Sequence, residues 1–313
     1  MLDSSSKVFD IYLVNGWLNL YKPKGISSAK AVGLAKSYFK NCKIGHTGTL
    51  DLEAEGVLPI AIGQATKLVS ILMDSEKQYL FTIQFGAQTT TADAAGEIIK
   101  KTDIIPSEDG CKQICSQFIG KIQQTPPVYS ALKVNGVRAY KLARENKAFE
   151  LKQRSITIYD LKLVSYDGRN KCATYIVNCS KGTYVRTLAE DISLSLHSLG
   201  FVIELRRTRV GIFNEENSIN ILDLNCNTFD EARALVESKC LRVEEVLDDI
   251  PVLEVDKLIA QKIRYGQQCE FDKVGNCDQI WLKYDGKILA IGSLSDNNFK
   301  SSRVFNYIEN GEE

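Results

Sequence analysis

The sequence predicts a mixed α/β domain up to about residue 248 and a small β unit after it. Stretches such as Tyr79–Phe85 alternate apolar and polar residues, as half-buried strands do. Between such stretches lie segments with a helical apolar face, as in residues 31–39. After Pro251 the pattern changes to short alternating stretches separated by turn residues such as Asp285-Gly286. A chain of 313 residues, 44% of them hydrophobic, is long and apolar enough to form a buried core in each of these two units.

The elements of the first half follow from local patterns. Trp17–Tyr21 alternates and predicts a strand that runs into a turn at Pro23. Ser27 or Ser28 can cap the helix that follows, because a serine side chain accepts from the first free amides. The remaining predictions, in chain order, are a helix over 65–73, a strand over 79–85, a polar loop over 89–96 and a helix over 107–119.

The second half continues with strands and helices in alternation. Strands are predicted over 156–159, 161–164 and 173–177, a helix over 188–198 that includes His197, and a strand over 201–205. An acidic helical region follows over 228–247. The small β unit then contains predicted strands over 279–282 and 287–291.

Residues 44–58 form neither a helical nor an alternating pattern, so they predict a shaped loop. They hold one of only two histidines, His46, and Asp51 five residues later. Gly45 and Gly48 allow positive φ or the close approach of a ligand. Asp51 precedes an apolar stretch, so it is a candidate reactive carboxylate on a loop backed by a buried strand. Residue chemistry alone leaves a second interpretation open, in which Asp51 caps a turn and His46 is a half-buried structural histidine.

Charge is unevenly distributed although the formal net charge is zero. Residues 121–154 contain eight Lys and Arg but only two Glu, with aromatic residues interleaved over 125–151. Arg206, Arg207 and Arg209 form a second basic cluster, whereas residues 215–254 are strongly acidic. Basic segments with aromatics are typical of RNA-binding surfaces. Runs of charge are also common on ordinary solvated surfaces, so this distribution indicates an RNA partner without establishing one.

Several classes of site are not indicated. The nine cysteines are irregularly spaced, and none forms a Cys-x-x-Cys pair, so we predict neither a metal site nor a disulfide framework. No phosphate-cradling loop and no Ser-His or Cys-His pair is evident. No apolar run approaches the length of a membrane span, and no signal peptide is apparent at the start, so we expect a cytoplasmic protein.

Five segments in order along residues 16–210 resemble the motifs of the TruB-type tRNA pseudouridine synthases. The segment Gly45–Asp51 is similar to the catalytic loop of that family. The other four are Leu20–Ser28, Lys77–Tyr79, Thr125–Lys133 and Ser180–Arg186. The resemblance implies a pseudouridine synthase fold over 1–248, with a mixed, mostly antiparallel sheet and flanking helices, and a small β-barrel, PUA-like RNA-binding domain over 249–313.

The resemblance also implies roles for individual residues. Asp51 would be the nucleophile at C1′ of a uridine, and Arg186 would pair with it and keep it ionised. Tyr79 would stack on the target base and accept a proton during the rearrangement. The substrate pocket would further involve His46, Tyr184 and Leu205, with Lys22 supporting the loop electrostatically.

The implied reaction is the isomerisation of the T-loop uridine at position 55 of tRNA after base flipping. It exchanges no electron, phosphate or acyl group, so no cofactor or metal is expected. The expected partner is the T arm and elbow of tRNA, gripped by the insertion over 125–151, and the enzyme is expected to be a monomer.

One departure from the family pattern concerns the loop. Leu52 stands where the family has proline, and Glu53 and Glu55 add acidic groups that could raise the pKa of Asp51 or point to solvent. Two other functions remain open. The protein could be a tRNA-binding chaperone without modification activity, or a guide-RNA-dependent relative that requires protein partners. The four residues Asp51, Tyr79, Tyr184 and Arg186 speak against the former, and the insertion over 125–151 speaks for the stand-alone enzyme.

Overall fold

The computed structural model describes residues 15–39, 42–145, 147–224, 228–271 and 274–307. Its main body is a mixed sheet in which most neighbouring strands are antiparallel. The strands before the C-terminal unit, numbered β1 to β14, are Gly16–Lys22, Ile44–His46, Glu55–Ile62, Lys77–Phe85, Ala87–Thr89, Ile98–Lys101, Gly120–Gln124, Lys133–Val134, Val137–Arg138, Arg154–Asp167, Cys172–Cys179, Gly200–Val210, Phe213–Asn214 and Ile219–Asn220.

Eight of these strands form the path β14-β1-β3-β12-β4-β11-β10-β7, with β2 paired to β3 and β13 to β12. Strand β4 lies in the middle, antiparallel to both β12 and β11. The parallel pairs are β1 with β14 and β3 with β12. The helices, α1 to α9, are Ser28–Lys36, Val69–Asp74, Glu108–Gln113, Cys115–Phe118, Ala139–Arg144, Val185–Ser195, Ile221–Leu224, Phe229–Lys239 and Lys257–Arg264, with 3₁₀ turns at Gly63–Leu68 and Val243–Leu247.

The C-terminal unit is a second, five-stranded sheet. Its strands, β15 to β19, are Val252–Glu254, Cys269–Glu270, Cys277–Tyr284, Lys287–Ser295 and Asn298–Val304, in the order β15-β17-β18-β19-β16. Helix α9, which the sequence analysis did not predict, packs beside β16 and β19. The predicted combination of a mixed α/β body and a small β unit is therefore confirmed.

The two sheets share one apolar core. Trp17 and Val57 of the large sheet lie in the same buried cluster as Trp281 and Phe305 of the C-terminal part. Polar contacts reinforce this packing, because the ammonium of Lys67 donates to the carbonyl of Val304 at 2.6 Å. The C-terminal sheet thus packs against the face of β1 and β3 that carries Trp17 and Val57.

Several predicted boundaries were wrong for identifiable reasons. The strands predicted over 156–159 and 161–164 are the single strand β10, which passes Asp160 through a shift in register rather than a break. Helix α6 begins at Val185 instead of residue 188, and its first residues are already buried. It ends before His197, whose φ of 56° lies outside the helical region. The predicted helices over 65–73 and 107–119 are each divided into two shorter helices.

The insertion over 125–151 contains more structure than its composition indicated. It forms the hairpin of β8 and β9 and then helix α5, which is anchored by the fully buried Ala139. Its basic side chains remain exposed: Lys133, Arg138, Lys141, Arg144 and Lys147. The fold thus presents these charges on a small projecting unit.

Two further findings concern cysteines and membrane spans. Eight cysteines lie within the described residues, none of them in a disulfide there, and five are buried, as small core residues are. No helix in the described part of the chain is long and apolar enough to cross a bilayer.

The raised pKa of Asp191 on helix α6 predicts how the stability of the protein depends on pH. Burial, and secondly the neighbouring Glu190, raises its pKa to about 6. Because the unfolded carboxyl titrates near 3.8, the native state binds more protons between these values, and stability falls as pH rises from about 4 to 6. We expect Asp191→Asn to stabilise the protein at pH 7 by about 1–3 kcal/mol. Urea unfolding at pH 7 and pH 4 checks this. The gain should shrink at pH 4, and the exposed Asp103→Asn should show none; an equal gain at both values would contradict the electrostatic cause.

Candidate active site

The segment that holds Asp51 is a loop over residues 47–54 between β2 and β3. It is shorter than predicted, because residues 44–46 are not loop but pair with β3 as strand β2. Gly45 therefore lies in extended backbone and does not adopt positive φ. The amide of Thr47 donates to the carbonyl of Pro59 at 3.2 Å, so the loop departs directly from the edge of this strand pair.

The N-terminal motif segment fixes this loop in place. The hydroxyl of the buried Ser28 accepts from the amide of Leu50 at 2.9 Å and donates to its carbonyl at 3.0 Å. The amide of Gly25 donates to the carbonyl of Leu52 at 2.9 Å. Two motifs that are distant in sequence thus form one unit, and the backbone on both sides of Asp51 is held.

Lys22 connects the same two segments. Its side chain is fully buried, and its ammonium donates to the carbonyls of Pro23, Ile26 and Ala54 at 3.1, 2.7 and 2.5 Å. Burial lowers the pKa of Lys22 to about 8, and the nearby charge of Asp51 acts in the opposite direction. The amine therefore remains mostly protonated at neutral pH. It supports the loop from behind and does not line the cavity described below.

The turn after Asp51 is closed without proline. The amide of Ala54 donates to the carbonyl of Asp51 at 3.2 Å, which places Leu52 at the second position of a β-turn. The Leu52 side chain is 52% exposed. Glu53 pairs with Lys24 at 3.5 Å, and Glu55 lies beside the hydroxyl of Tyr21. Both added acids therefore have partners of their own.

Leu52→Pro is expected to be tolerated. Proline is favoured at the second position of such a turn, and the amide of Leu52 makes no hydrogen bond among the described residues. We expect stability to rise by about 0.4–1 kcal/mol, because proline restricts the unfolded chain. Activity should stay within about twofold. Thermal melting and single-turnover rates on tRNA check this, with Leu52→Ala as the control. A loss of stability would show that the native turn does not fit proline.

Arg186 is the centre of the polar network. Its Nε lies 2.9 Å from Oδ2 of Asp51, and its Nη1 lies 3.5 Å from Oδ2 of Asp93. It also donates to the carbonyls of Thr91 and Tyr129 at 2.8 and 3.0 Å. The side chain of Arg186 is 6% exposed and that of Asp51 is 45% exposed. Four partners thus fix the guanidinium of Arg186, and the guanidinium in turn holds the partly exposed carboxylate of Asp51 in place.

A cavity of about 530 Å³ opens beside this pair. Asp51, Tyr79 and Tyr184 all line it, together with Thr47 and Lys77. Its volume is within the range of small-molecule sites. The hydroxyl of Thr47 is buried and has no hydrogen-bond partner among the described residues, so it can meet a polar group of a substrate.

The two tyrosines are held by different means. The side chain of Gln124 donates to the carbonyl of Tyr184 at 3.1 Å and accepts from its amide at 2.8 Å, which fixes Tyr184 at the start of α6. Tyr79 stands on the central strand β4, where burial raises its pKa, while the nearby Arg207 acts in the opposite direction. Burial also raises the pKa of Tyr184.

His46 and Leu205 are not on this cavity. His46 is half-buried at the end of β2, and its Nδ1 accepts from the amide of Gly48 at 3.2 Å. Burial, and secondly Arg207, lowers its pKa, so the ring is neutral at pH 7 and its hydrogen is on Nε2. Leu205 lines an adjoining cleft that it shares with Asp51 and Arg186. The predicted residues thus surround Asp51, but only some of them face one pocket.

The three arginines of the second basic cluster do not form one surface of free cations. Arg207 is buried, Arg206 lies 3.5 Å from Glu215, and Arg209 lies 3.5 Å from Glu76. Sequence reasoning also missed Asp93 and Gln124, since nothing local marks a polar loop residue or a strand glutamine as a partner of the site. Within the described ranges, no group of three or more His, Cys, Asp or Glu could hold a metal ion.

The chain is similar to known proteins along most of its length. Residues 36–185 match the model of the TruB family pseudouridylate synthase N-terminal domain, and residues 186–250 match that of the tRNA pseudouridylate synthase B C-terminal domain. The tRNA pseudouridine synthase B of Rickettsia bellii (strain OSU 85-389) is 60% identical over 290 residues, which cover 93% of this chain and 98% of that protein. The protein of the same name from Rickettsia akari (strain Hartford) is 55% identical over 94% of this chain and 99% of its own length.

Solved structures share the fold at much lower identity. A protein in an H/ACA RNP bound to a substrate RNA containing 2′-deoxyuridine superimposes with a TM-score of 0.69 at 21% identity, over 95% of this chain and 86% of that chain. A chain of the archaeal box H/ACA sRNP Nop10–Cbf5 complex gives 0.69 at 20% identity, over 96% and 88%. The expected pseudouridine synthase fold with a PUA-like C-terminal sheet is thereby confirmed. With relatives of such identity along nearly its whole length, the chain belongs to the TruB family of tRNA pseudouridine synthases.

Proposed function

We propose that this protein isomerises uridine to pseudouridine at position 55, in the T loop of tRNA. The observation that carries the proposal is the pair of Asp51 and Arg186 at the side of a nucleoside-sized cavity that Tyr79 and Tyr184 also line. The close relatives are named for tRNA pseudouridine formation. The position within tRNA and the residue roles below are our proposals.

In the first step Asp51 attacks C1′ of the ribose. A bond forms between its carboxylate oxygen and C1′, the N1–C1′ bond breaks, and the electron pair remains on the uracil. Carboxylates capture oxocarbenium-like carbon in this way in retaining glycosidases. Arg186 keeps Asp51 ionised and oriented, because a guanidinium at 2.9 Å favours the charged form of the carboxylate.

In the second step the uracil turns and C5 attacks C1′. The new C5–C1′ bond forms as the bond between C1′ and Asp51 breaks, which returns the carboxylate. The proton on C5 is then lost and N1 gains a proton, so substrate and product have the same atoms. Tyr79 stacks on the base; its phenol first releases its own proton to water, the phenolate then accepts the C5 proton, and water supplies the proton that N1 gains. Tyr184 closes the pocket from another side, and Leu205 borders the adjoining cleft.

The uridine must leave its stack before Asp51 can reach C1′, so we propose base flipping. The exposed basic residues of the 125–151 insertion, such as Lys133 and Arg138, contact the phosphates of the T arm and elbow. His46 contacts the flipped nucleotide through its Nε2 hydrogen. One chain supplies every residue named for the reaction, so we propose that the monomer is active.

The test uses purified full-length protein and an unmodified tRNA transcript without added metal or cofactor. Carbodiimide treatment followed by primer extension maps pseudouridine along the RNA. A new stop at position 55 is expected with the native transcript and not with a transcript that has cytidine there. A stop only at another position would refute the T-loop assignment. Tight tRNA binding without any stop would instead favour a tRNA chaperone.

A further inference from the structure

We infer that Arg207 is a positioning residue of this site: its guanidinium fixes the loop that holds Asp51 and lies beside Tyr79, and thereby prepares the phenol oxygen to accept the proton from C5. The inference rests on the proposed function for the proton step, whereas the contacts of Arg207 are independent of it. Neither the sequence motifs nor the implied set of site residues includes Arg207.

Arg207 lines the cavity beside Asp51 and is not part of the outer surface of the protein. Its residue is only 2% exposed, in contrast to the partly exposed Arg206 and Arg209 on the same strand. In the register of the sheet it lies opposite Tyr79 on β4 and opposite Gly56 on β3. A side chain at Gly56 would place Cβ 2.2 Å from the carbonyl oxygen of Arg207, so the two strands can approach this closely only with glycine there.

The guanidinium donates to backbone carbonyls rather than to a carboxylate. Its Nε donates to the carbonyl of Val57 at 2.8 Å, and its Nη2 donates to the carbonyl of Gly48 at 3.1 Å. Tyr79 is the third neighbour: it stands opposite Arg207 in the strand register and lines the same cavity, and the charge of Arg207 acts to lower the pKa of its phenol. No carboxylate lies within ion-pair distance of Arg207 in the described part of the chain. Gly48 lies in the Asp51 loop and Val57 lies on the strand that follows it, so one side chain ties both to the strand position opposite Tyr79.

A buried cation without an ion-pair partner is costly, and an apolar residue would fill the space at a lower cost. The presence of a positive charge at this buried position therefore indicates a role for the charge itself. Removal of the C5 proton requires a base: the phenol of Tyr79 first releases its own proton to water, the C5–H electron pair then returns to the ring, and the C5 proton goes to the Tyr79 phenolate. A positive charge in contact with that oxygen favours its anionic form.

Other charged groups surround the pair and must be considered. Cys179 on β11 and Asp51 on the loop face Tyr79, and both oppose its ionisation. Lys22 and Lys77 lie near Arg207 and add positive charge, whereas the nearby His46 is neutral at pH 7. Of these cations, Arg207 most favours ionisation of the Tyr79 phenol, so its removal should affect Tyr79 more than removal of the others.

The kinetic test compares wild type with Arg207→Gln, Arg207→Lys and the exposed control Arg169→Gln in single-turnover reactions on tRNA from pH 6 to 10. Arg207→Gln is expected to lower the rate at pH 7.5 by about 10²-fold. Its rate should recover towards higher pH, because the phenol must now ionise without the guanidinium. Arg207→Lys should recover the rate to within about tenfold of wild type, and the affinity for tRNA should change in none of them.

A cycle with Tyr79→Phe separates this role from general damage. If Arg207 acts through Tyr79, Arg207→Gln should reduce the rate little further in the Tyr79→Phe background. Rate losses that multiply would overturn the proposal. So would an unaltered pH profile in a folded Arg207→Gln variant.

A second readout needs no activity. In protein labelled with ¹³Cζ-tyrosine, the Tyr79 resonance is identified by its absence in Tyr79→Phe. It should move in Arg207→Gln and in Arg207→Lys and stay in place in Arg169→Gln. If wild type forms no pseudouridine while this resonance moves, the proposed function fails and the contact stands. If the resonance does not move in either folded variant, the inference fails whatever the activity is. The lysine variant serves this purpose where glutamine prevents folding.

Discussion

Asp51→Asn is expected to abolish pseudouridine formation, with a single-turnover rate lower by about 10⁴-fold or more. The amide is nearly the same size and can still contact the guanidinium of Arg186, but it cannot displace the base from C1′. Because Asp51 is 45% exposed and its loop is held by Ser28 and Lys22, the fold should be preserved. The measurement is the appearance of pseudouridine in a tRNA transcript with enzyme in excess.

Two controls define this result. The melting temperature and the affinity for tRNA should match wild type, which assigns the loss to chemistry rather than to folding or binding. The exposed Asp103→Asn should keep full activity. A residual rate within tenfold of wild type would remove Asp51 from the role of nucleophile.

Arg186→Gln is expected to lower the free energy of unfolding by about 3 kcal/mol and to remove most activity. The substitution leaves Asp93, whose side chain is 14% exposed, without its cation, and it deprives the carbonyls of Thr91 and Tyr129 of a donor. Urea denaturation measures the loss of stability. Arg186→Lys keeps the charge but cannot reach all four partners, so it should lose less stability.

A double substitution tests the cause. Asp93→Asn added to Arg186→Gln removes the unpaired carboxylate and should recover part of the stability. It should not recover activity, because Asp51 remains without its partner. Strict additivity of the two stability changes would indicate that the Arg186–Asp93 contact contributes little and that the backbone contacts of Arg186 matter more.

The reactive loop could be predicted from the sequence because its residues are contiguous. Seven neighbouring residues ending in Asp51 carried the resemblance, and Arg186 came from a second short motif. The supporting contacts of this loop could not be predicted in the same way. Ser28 and Lys22 belong to a recognised motif, but the pairing of Ser28 with Leu50 and of Lys22 with Ala54 depends on how the two segments meet in space.

Arg207 shows why composition misled the interpretation of charge. In the sequence it stands between two other basic residues and suggests a phosphate-binding surface. Side chains alternate along a strand, so neighbours in the sequence point to opposite faces of the sheet. Asp93 was missed for another reason. Its partner Arg186 is far along the chain, and the two meet only because the fold brings the loop after β5 against α6.

Val57 links the packing of the C-terminal sheet to the structure of the loop that holds Asp51. Its side chain is buried in the core that contains Trp281 and Phe305, while its carbonyl accepts the hydrogen bond of Arg207. Loosening of the C-terminal sheet would therefore disturb the backbone that holds Arg207, even if that sheet never touched RNA. The C-terminal sheet therefore stabilises the Asp51 loop indirectly. The two sheets are expected to unfold as one cooperative unit.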